Sequence, residues 1–110
     1  MRKVAANYIF LPGYPLVKNG YVVLSEERII DVVDTGGVIK EIQGLEFYGG
    51  MIVAGSLVGG TVNWNAGENI LPVLERFYEQ SDCASSGIAI IQKADLLKLV
   101  FTPETVIRSL

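Results

Sequence analysis

Apolar positions in the first half of this chain come in short bursts cut by turn residues. Lys3–Phe10 is rich in Val, Tyr, Ile and Phe and ends at Pro12-Gly13-Tyr14-Pro15, the pattern of a strand followed by a turn cluster. Lys18-Asn19-Gly20 contains the Asn-Gly pair that favours a tight hairpin, and Tyr21–Ser25 then reads as a short strand. After a polar turn at Glu26-Glu27, Arg28–Asp34 predicts another, with Ile29, Val32 and Val33 supplying apolar surface beside Asp31 and Asp34. Thr35-Gly36-Gly37 closes it, Val38–Ile42 is a weaker strand or loop, and Leu45–Val53 carries the next apolar run across Gly49-Gly50. Strand signals spaced about 8 to 12 residues apart are the rhythm of a small sandwich or barrel.

The middle of the chain changes period. Leu57–Asn65 is glycine-rich and contains the single tryptophan, Trp64. Beyond it, Ile70, Leu71, Val73, Leu74, Phe77 and Tyr78 form the stripe of an amphipathic helix, with Glu75, Arg76, Glu79 and Gln80 on the wet side. Asn69 suits the N-cap, and Pro72 falls in the first turn, where a missing N–H costs nothing. Ser81–Gly87 is a polar linker. Ile88–Gln92 then predicts a strand, and Ala94–Phe101 a second apolar one carrying Lys98. Thr102-Pro103-Glu104 makes a turn before Val106–Leu110. A helix capped by Thr102 is the competing reading there, but too few residues follow Pro103, so a strand is expected.

Composition narrows the classes. Half of the 110 residues are hydrophobic, 19% are charged and 12 are glycine, which suits a packed domain and not a disordered one. The net charge of −3 offers no basic footprint for nucleic acid. No stretch reaches the about 18 apolar residues of a membrane span, and Asn7, Pro12 and Pro15 break up the segment that would otherwise resemble a signal peptide. The lone Cys83 excludes an internal disulfide and suits a reducing compartment, so a cytoplasmic protein is the default. With no histidine to activate it, Cys83 reads as a small structural side chain and not a nucleophile.

Candidate chemistry is sparse. Gly49-Gly50 and Gly59-Gly60 lack the remainder of a phosphate-binding loop and read as turns or bulges. Asp31, Asp34, Glu41 and Glu46 are separate carboxylates on predicted strands and turns, read as solvated charges. Asn63, Trp64 and Asn65 could form a sugar- or small-molecule-binding platform, an aromatic face between two amides. The competing and favoured reading makes Trp64 a partial plug of the core where strand gives way to helix.

The segment Leu45–Val62, LEFYGGMIVAGSLVGGTV, resembles the entry to the barrel in amidohydrolases, metal-dependent hydrolases in which a small β domain leads through an apolar run and V-P-G to an H-x-H pair. Met51-Ile52-Val53 matches the apolar run and Val53-Ala54-Gly55 stands where V-P-G would be. The two histidine positions fall on Gly60 and Val62, and the chain has no histidine at all. Met1–Gly55 is similar to the N-terminal part of the family's accessory β domain, and Gly87–Leu110 to the C-terminal tail that completes it. Between them the family has a (β/α)₈ barrel needing about 200 residues or more, where this chain has only residues 56–86. The resemblance implies one composite domain over residues 1–110: N-terminal strands (1–55), a glycine-rich join, helix and linker (56–86), and C-terminal strands (87–110) pairing in the same sheet system. It also implies that the family's catalysis is lost, since Gly60 and Val62 cannot ligate a metal and the later ligand-bearing strands do not exist.

The fold expected is therefore mainly β, a small β-sandwich of about seven or eight short strands with one amphipathic α-helix inserted. The function expected is that of a non-catalytic remnant of an amidohydrolase accessory domain, without catalytic, metal or cofactor residues, serving as an interaction or assembly module. A homodimer is the expected assembly, with a different protein partner also open, and neither nucleic acid nor membrane is expected to bind. Two alternatives remain: part of a metal-dependent hydrolase whose barrel lies on another chain, or a small-molecule binding module around Trp64.

Overall fold

A computed structural model describes residues 2–26, 28–36, 43–59, 64–80 and 87–110. Among these residues seven strands and two helices follow one another as β1 (Arg2–Ile9), β2 (Val17–Lys18), β3 (Tyr21–Ser25), β4 (Arg28–Val33), β5 (Leu45–Ala54), α1 (Ser56–Gly59), α2 (Ile70–Gln80), β6 (Ile88–Gln92) and β7 (Val106–Ser109). The protein is mainly β, as its patterning predicts, and α2 is the one helix among the described residues longer than two turns. The strands are hydrogen-bonded in the order β4-β3-β1-β5-β6-β7, with β2 pairing the far end of β1. Only β1 and β5 run parallel, with Lys3 beside Leu45 and Ile9 beside Ile52; the other described pairs are antiparallel.

This single sheet folds over itself. Lys3 lies beside Leu45 at the start of β5, whereas Ile88 lies opposite Ala54 at its end. The ends of a straight strand of this length would be about 30 Å apart. Yet the Leu110 amide donates to the Ile88 carbonyl at 3.1 Å, and Arg2 Nη1 donates to the Leu110 carbonyl at 3.1 Å. Both hold only if β5 turns a corner. The corner is at Gly49-Gly50, where Gly50 has φ +137° and the β1–β5 register slips between Ala6 and Tyr8. Bends and bulges of this kind let strands pass from one layer to another. The first half-sheet comprises β4, β3 and the early parts of β1 and β5; the second comprises the end of β5 with β6 and β7.

Side chains on the inner face meet between the layers. Val4, Ala6, Val22, Leu24, Ile52, Ile88 and Ile90 share one buried cluster with Leu11 and Val17, and Ile29, Val32, Tyr48 and Leu110 pack on it. Strand alternation puts Met51, Val53, Ala89 and Ile91 on the opposite face of the second half-sheet. There they join Ile70, Val73 and Leu74 of α2, together with Leu57 and Phe101, in a second cluster. The 3.6-residue stripe on α2 finds its partner here, as its pattern predicts.

Three local expectations change. Asn19-Gly20 does not make a hairpin: β2 and β3 both run antiparallel to β1 (Tyr8 opposite Lys18, Ala5 opposite Tyr21), so the pair interrupts one edge, and the reversal from β1 occurs through the Pro12–Pro15 turn. Asn19 takes φ +58°, and a Cβ on Gly20 would collide with the Val33 carbonyl. Ala94–Phe101 is not a strand. Asp95 Oδ1 accepts the amides of Leu97 and Lys98 at 3.1 and 3.2 Å, Leu99 adopts φ +53°, and Asp95 pairs with Val100 across the turn. A side chain that satisfies its own backbone competes with a sheet ladder. Finally, Ser56–Gly59 winds into the short helix α1, which the glycine-rich composition does not suggest. The expected strand or loop Val38–Ile42 lies outside the described residues, as does Cys83.

Candidate functional site

The segment between the two sheet-forming parts leaves and returns at one point. The Gly55 amide donates to the Gly87 carbonyl at 3.1 Å, so residues 56–86 form an excursion whose ends are hydrogen-bonded across the ends of β5 and β6. This is where the amidohydrolase resemblance puts the barrel junction. Its metal-ligand positions, Gly60 and Val62, lie outside the described residues, and so does Asn63.

Trp64 and Asn65 are described. The Trp64 ring stacks on Phe101 at a centroid distance of 5.0 Å and 17° between planes and packs against the α2-side cluster. The turn carrying it is pinned: Gly67 N donates to Phe101 O at 2.7 Å, Phe101 N donates to Glu68 O at 2.9 Å, and Asn65 N donates to Glu68 Oε1 at 3.0 Å. Trp64 thus commits one ring face to a buried phenylalanine, the arrangement of a core plug, while Asn65 is exposed.

A groove of about 620 Å³ opens between the Phe10–Leu16 turn and α2, where Phe10, Leu16, Leu71 and Tyr78 give apolar surface beside Glu75 and Glu79. Tyr78 braces it, its hydroxyl donating to the Phe10 carbonyl at 2.7 Å and accepting from the Ala54 amide at 3.2 Å. The Pro-Gly-Tyr-Pro cluster marks a turn in the sequence, but nothing in it says that the turn would face a helix some 60 residues on.

The candidate carboxylates stay apart. Asp31 lies exposed on β4, Asp34 Oδ1 caps the Gly36 amide at 2.9 Å, and Glu41 lies outside the described residues. Glu46 is taken up by a forked pair with Arg2, Nε to Oε2 at 2.7 Å and Nη2 to Oε1 at 3.1 Å, and the Tyr48 hydroxyl adds a third bond to Oε1 at 3.1 Å. The hydrogen bond from Arg2 holds the Glu46 carboxyl below its ordinary value, and the same bond raises the Arg2 guanidinium further. Among the described residues no three His, Cys, Asp or Glu side chains are grouped so as to hold a metal ion, and no helix is long and apolar enough to cross a membrane.

The outer face of the first half-sheet has a different character. Residues directly paired across strands share a face, so one row runs Val33-Tyr21-Ala5-Phe47 and the next Asp31-Val23-Lys3-Leu45. Among the described residues, Val33, Tyr21, Val23, Leu45 and Phe47 belong to neither core cluster. Phe47 is 55% exposed, and Ile30, in the bulge of β4, 49%. The sequence shows these residues as strand formers; that two rows of them would face outward follows only from the pairing.

Comparison with protein-family models, with curated proteins and with solved structures finds no match to this chain.

Proposed function

We propose that this protein is a non-catalytic interaction or assembly module, an amidohydrolase accessory domain in which a short helical excursion stands in the place of the catalytic barrel. The observation that carries this reading is the Gly55–Gly87 hydrogen bond. The N-terminal strands and the C-terminal strands join in one sheet, and everything between them departs and returns through a single gate. That is the connectivity expected of a composite domain built around an insertion. The family's metal-dependent catalysis is left out of the proposal on chemical grounds. The positions equivalent to the family's metal-binding histidines are Gly60 and Val62, and the chain contains no histidine and so no imidazole ligand for a hydrolytic metal. Homodimerisation and a cytoplasmic setting complete the reading.

Elemental analysis of the purified protein together with its solution mass tests it. The expected result is no stoichiometric zinc, manganese or iron, and a mass about twice the 12.0 kDa of the chain. One equivalent of bound transition metal would overturn the non-catalytic reading.

A further inference from the structure

We propose that the outer face of the first half-sheet is a self-docking surface on which a second copy of this chain seats face to face about a two-fold axis, with Lys3 of each copy opposite Asp31 of the other. The inference rests on the assembly reading above and assigns it a surface.

The face is apolar at its centre and charged at defined flanks. In the lower row Val23 is the cross-strand neighbour of Lys3 on one side and of Asp31 on the other. In the row above, Tyr21 stands between Ala5, itself buried beneath its neighbours, and Val33 in the same manner. Lys3 and Asp31 are thus two strand spacings apart, about 10 Å, with β3 midway between them.

A closed two-fold interface requires a patch complementary to itself, because any residue that meets a second residue across the axis is met by it in turn. An axis in the plane of the interface, over β3, exchanges the β4 side with the β1 side. Asp31 of one copy then faces Lys3 of the other, twice, while Val23 and Tyr21 stack on their own counterparts. Two charges of one sign at these two places would repel the copy under the same operation; Lys3 and Asp31, of opposite sign and placed symmetrically about β3, attract it, while Arg28, paired with Ser25 one row further along β4, adds a positive charge to the margin of the same face. Covering Val23, Tyr21 and Val33 removes apolar surface from water, which drives the association. The charge pairs select the geometry.

Charge reversal with light scattering over a dilution series, supported by circular dichroism to check folding, tests the proposal. Lys3→Asp and Asp31→Lys, each alone, set like charges against each other at two symmetric places, and each is expected to weaken the dimer by about tenfold or more. The double variant Lys3→Asp/Asp31→Lys restores opposite charges and returns the dissociation constant to within about threefold of the parent. Val23→Glu, on the axis, should give a folded monomer. Recovery in the double variant cannot come from a folding defect, so that result supports the docking geometry. A dimer indifferent to all four variants would overturn this surface while leaving assembly through another face intact. A parent chain monomeric at every concentration would overturn self-docking and homodimerisation together.

Discussion

The Asn7 side chain accepts the Gly50 amide at 2.9 Å, tying β1 to the bulge and bend in β5. These two strands run parallel, and both change layer at this point. The bond supplies the acceptor that the slipped ladder no longer offers to Gly50. The Asn7 carbonyl, meanwhile, accepts the Asn19 amide at 2.9 Å, so one residue holds the corner of β5 and the break between β2 and β3.

Substitution at this corner should separate two effects. Gly50→Ala puts a Cβ against the Ile91 carbonyl in a backbone region that favours glycine, and the collision with main chain cannot be relieved by a rotamer change. A loss of more than about 3 kcal/mol is expected. Asn7→Ala leaves the Gly50 amide without its acceptor and should cost about 1–3 kcal/mol. Urea unfolding of both variants checks the order; an unaffected Gly50→Ala would mean that β5 is not held at this bend.

Leu74 is fully buried between α2 and the sheet. Leu74→Asp buries a carboxylate with no cation nearby in its cluster, and the penalty is comparable with the stability of a small domain. The melting temperature should fall by more than about 10 °C, or the protein should fail to fold. A change of only a degree or two would place this side of the helix in solvent.

Tyr78→Phe keeps the ring and its tilted contact with Phe10 at 5.8 Å but removes the hydroxyl that serves Ala54 N and Phe10 O. A loss of about 1–2 kcal/mol is expected. Because the bond ties the Pro12–Pro15 turn to α2, amide exchange should rise at Ala54 ahead of the rest of β5.

Acid should loosen the closure made by Arg2. The Glu46 carboxyl titrates below its ordinary value of 4.5 in the folded chain, so the pair stabilises the fold fully above that pH. The contribution disappears as pH falls through the lower, folded value. Both side chains are more than a third exposed, so the effect is modest and screened by salt. The melting-temperature difference between the parent and Glu46→Gln should be present at pH 7 and shrink as the pH is taken progressively below 4.5. A difference independent of pH across that acid range would assign the stabilisation to packing instead.

What local chemistry could announce was legible in the chain. Short apolar runs bounded by turn residues marked β1, β3, β4, β5 and β6, and the stripe from Ile70 to Tyr78 marked α2 and its buried side, because composition, period and burial are properties of neighbouring residues. Val106 and the residues after it read as a strand because Pro103 left no room for a helix. The errors occurred where a distant residue or a side-chain bond overruled a local preference. Asn19-Gly20 has the composition of a hairpin turn, but β1 already offers a ladder to the strands on both sides of it. Ala94–Phe101 has the hydrophobicity of a strand, but the Asp95 carboxylate takes the amides of Leu97 and Lys98 into a turn.

The sequence by itself therefore determined the class of fold and the identity of most elements. Only the tertiary structure decided that β1 and β5 run side by side, that the sheet turns at Asn7 and Gly50, and that the excursion 56–86 closes on itself at Gly55 and Gly87. It alone brought Lys3, Val23 and Asp31 into one row. Strand pairing joins residues tens of positions apart through main-chain groups that every residue shares, so side-chain identity records which face a residue takes but not which strand lies beside it.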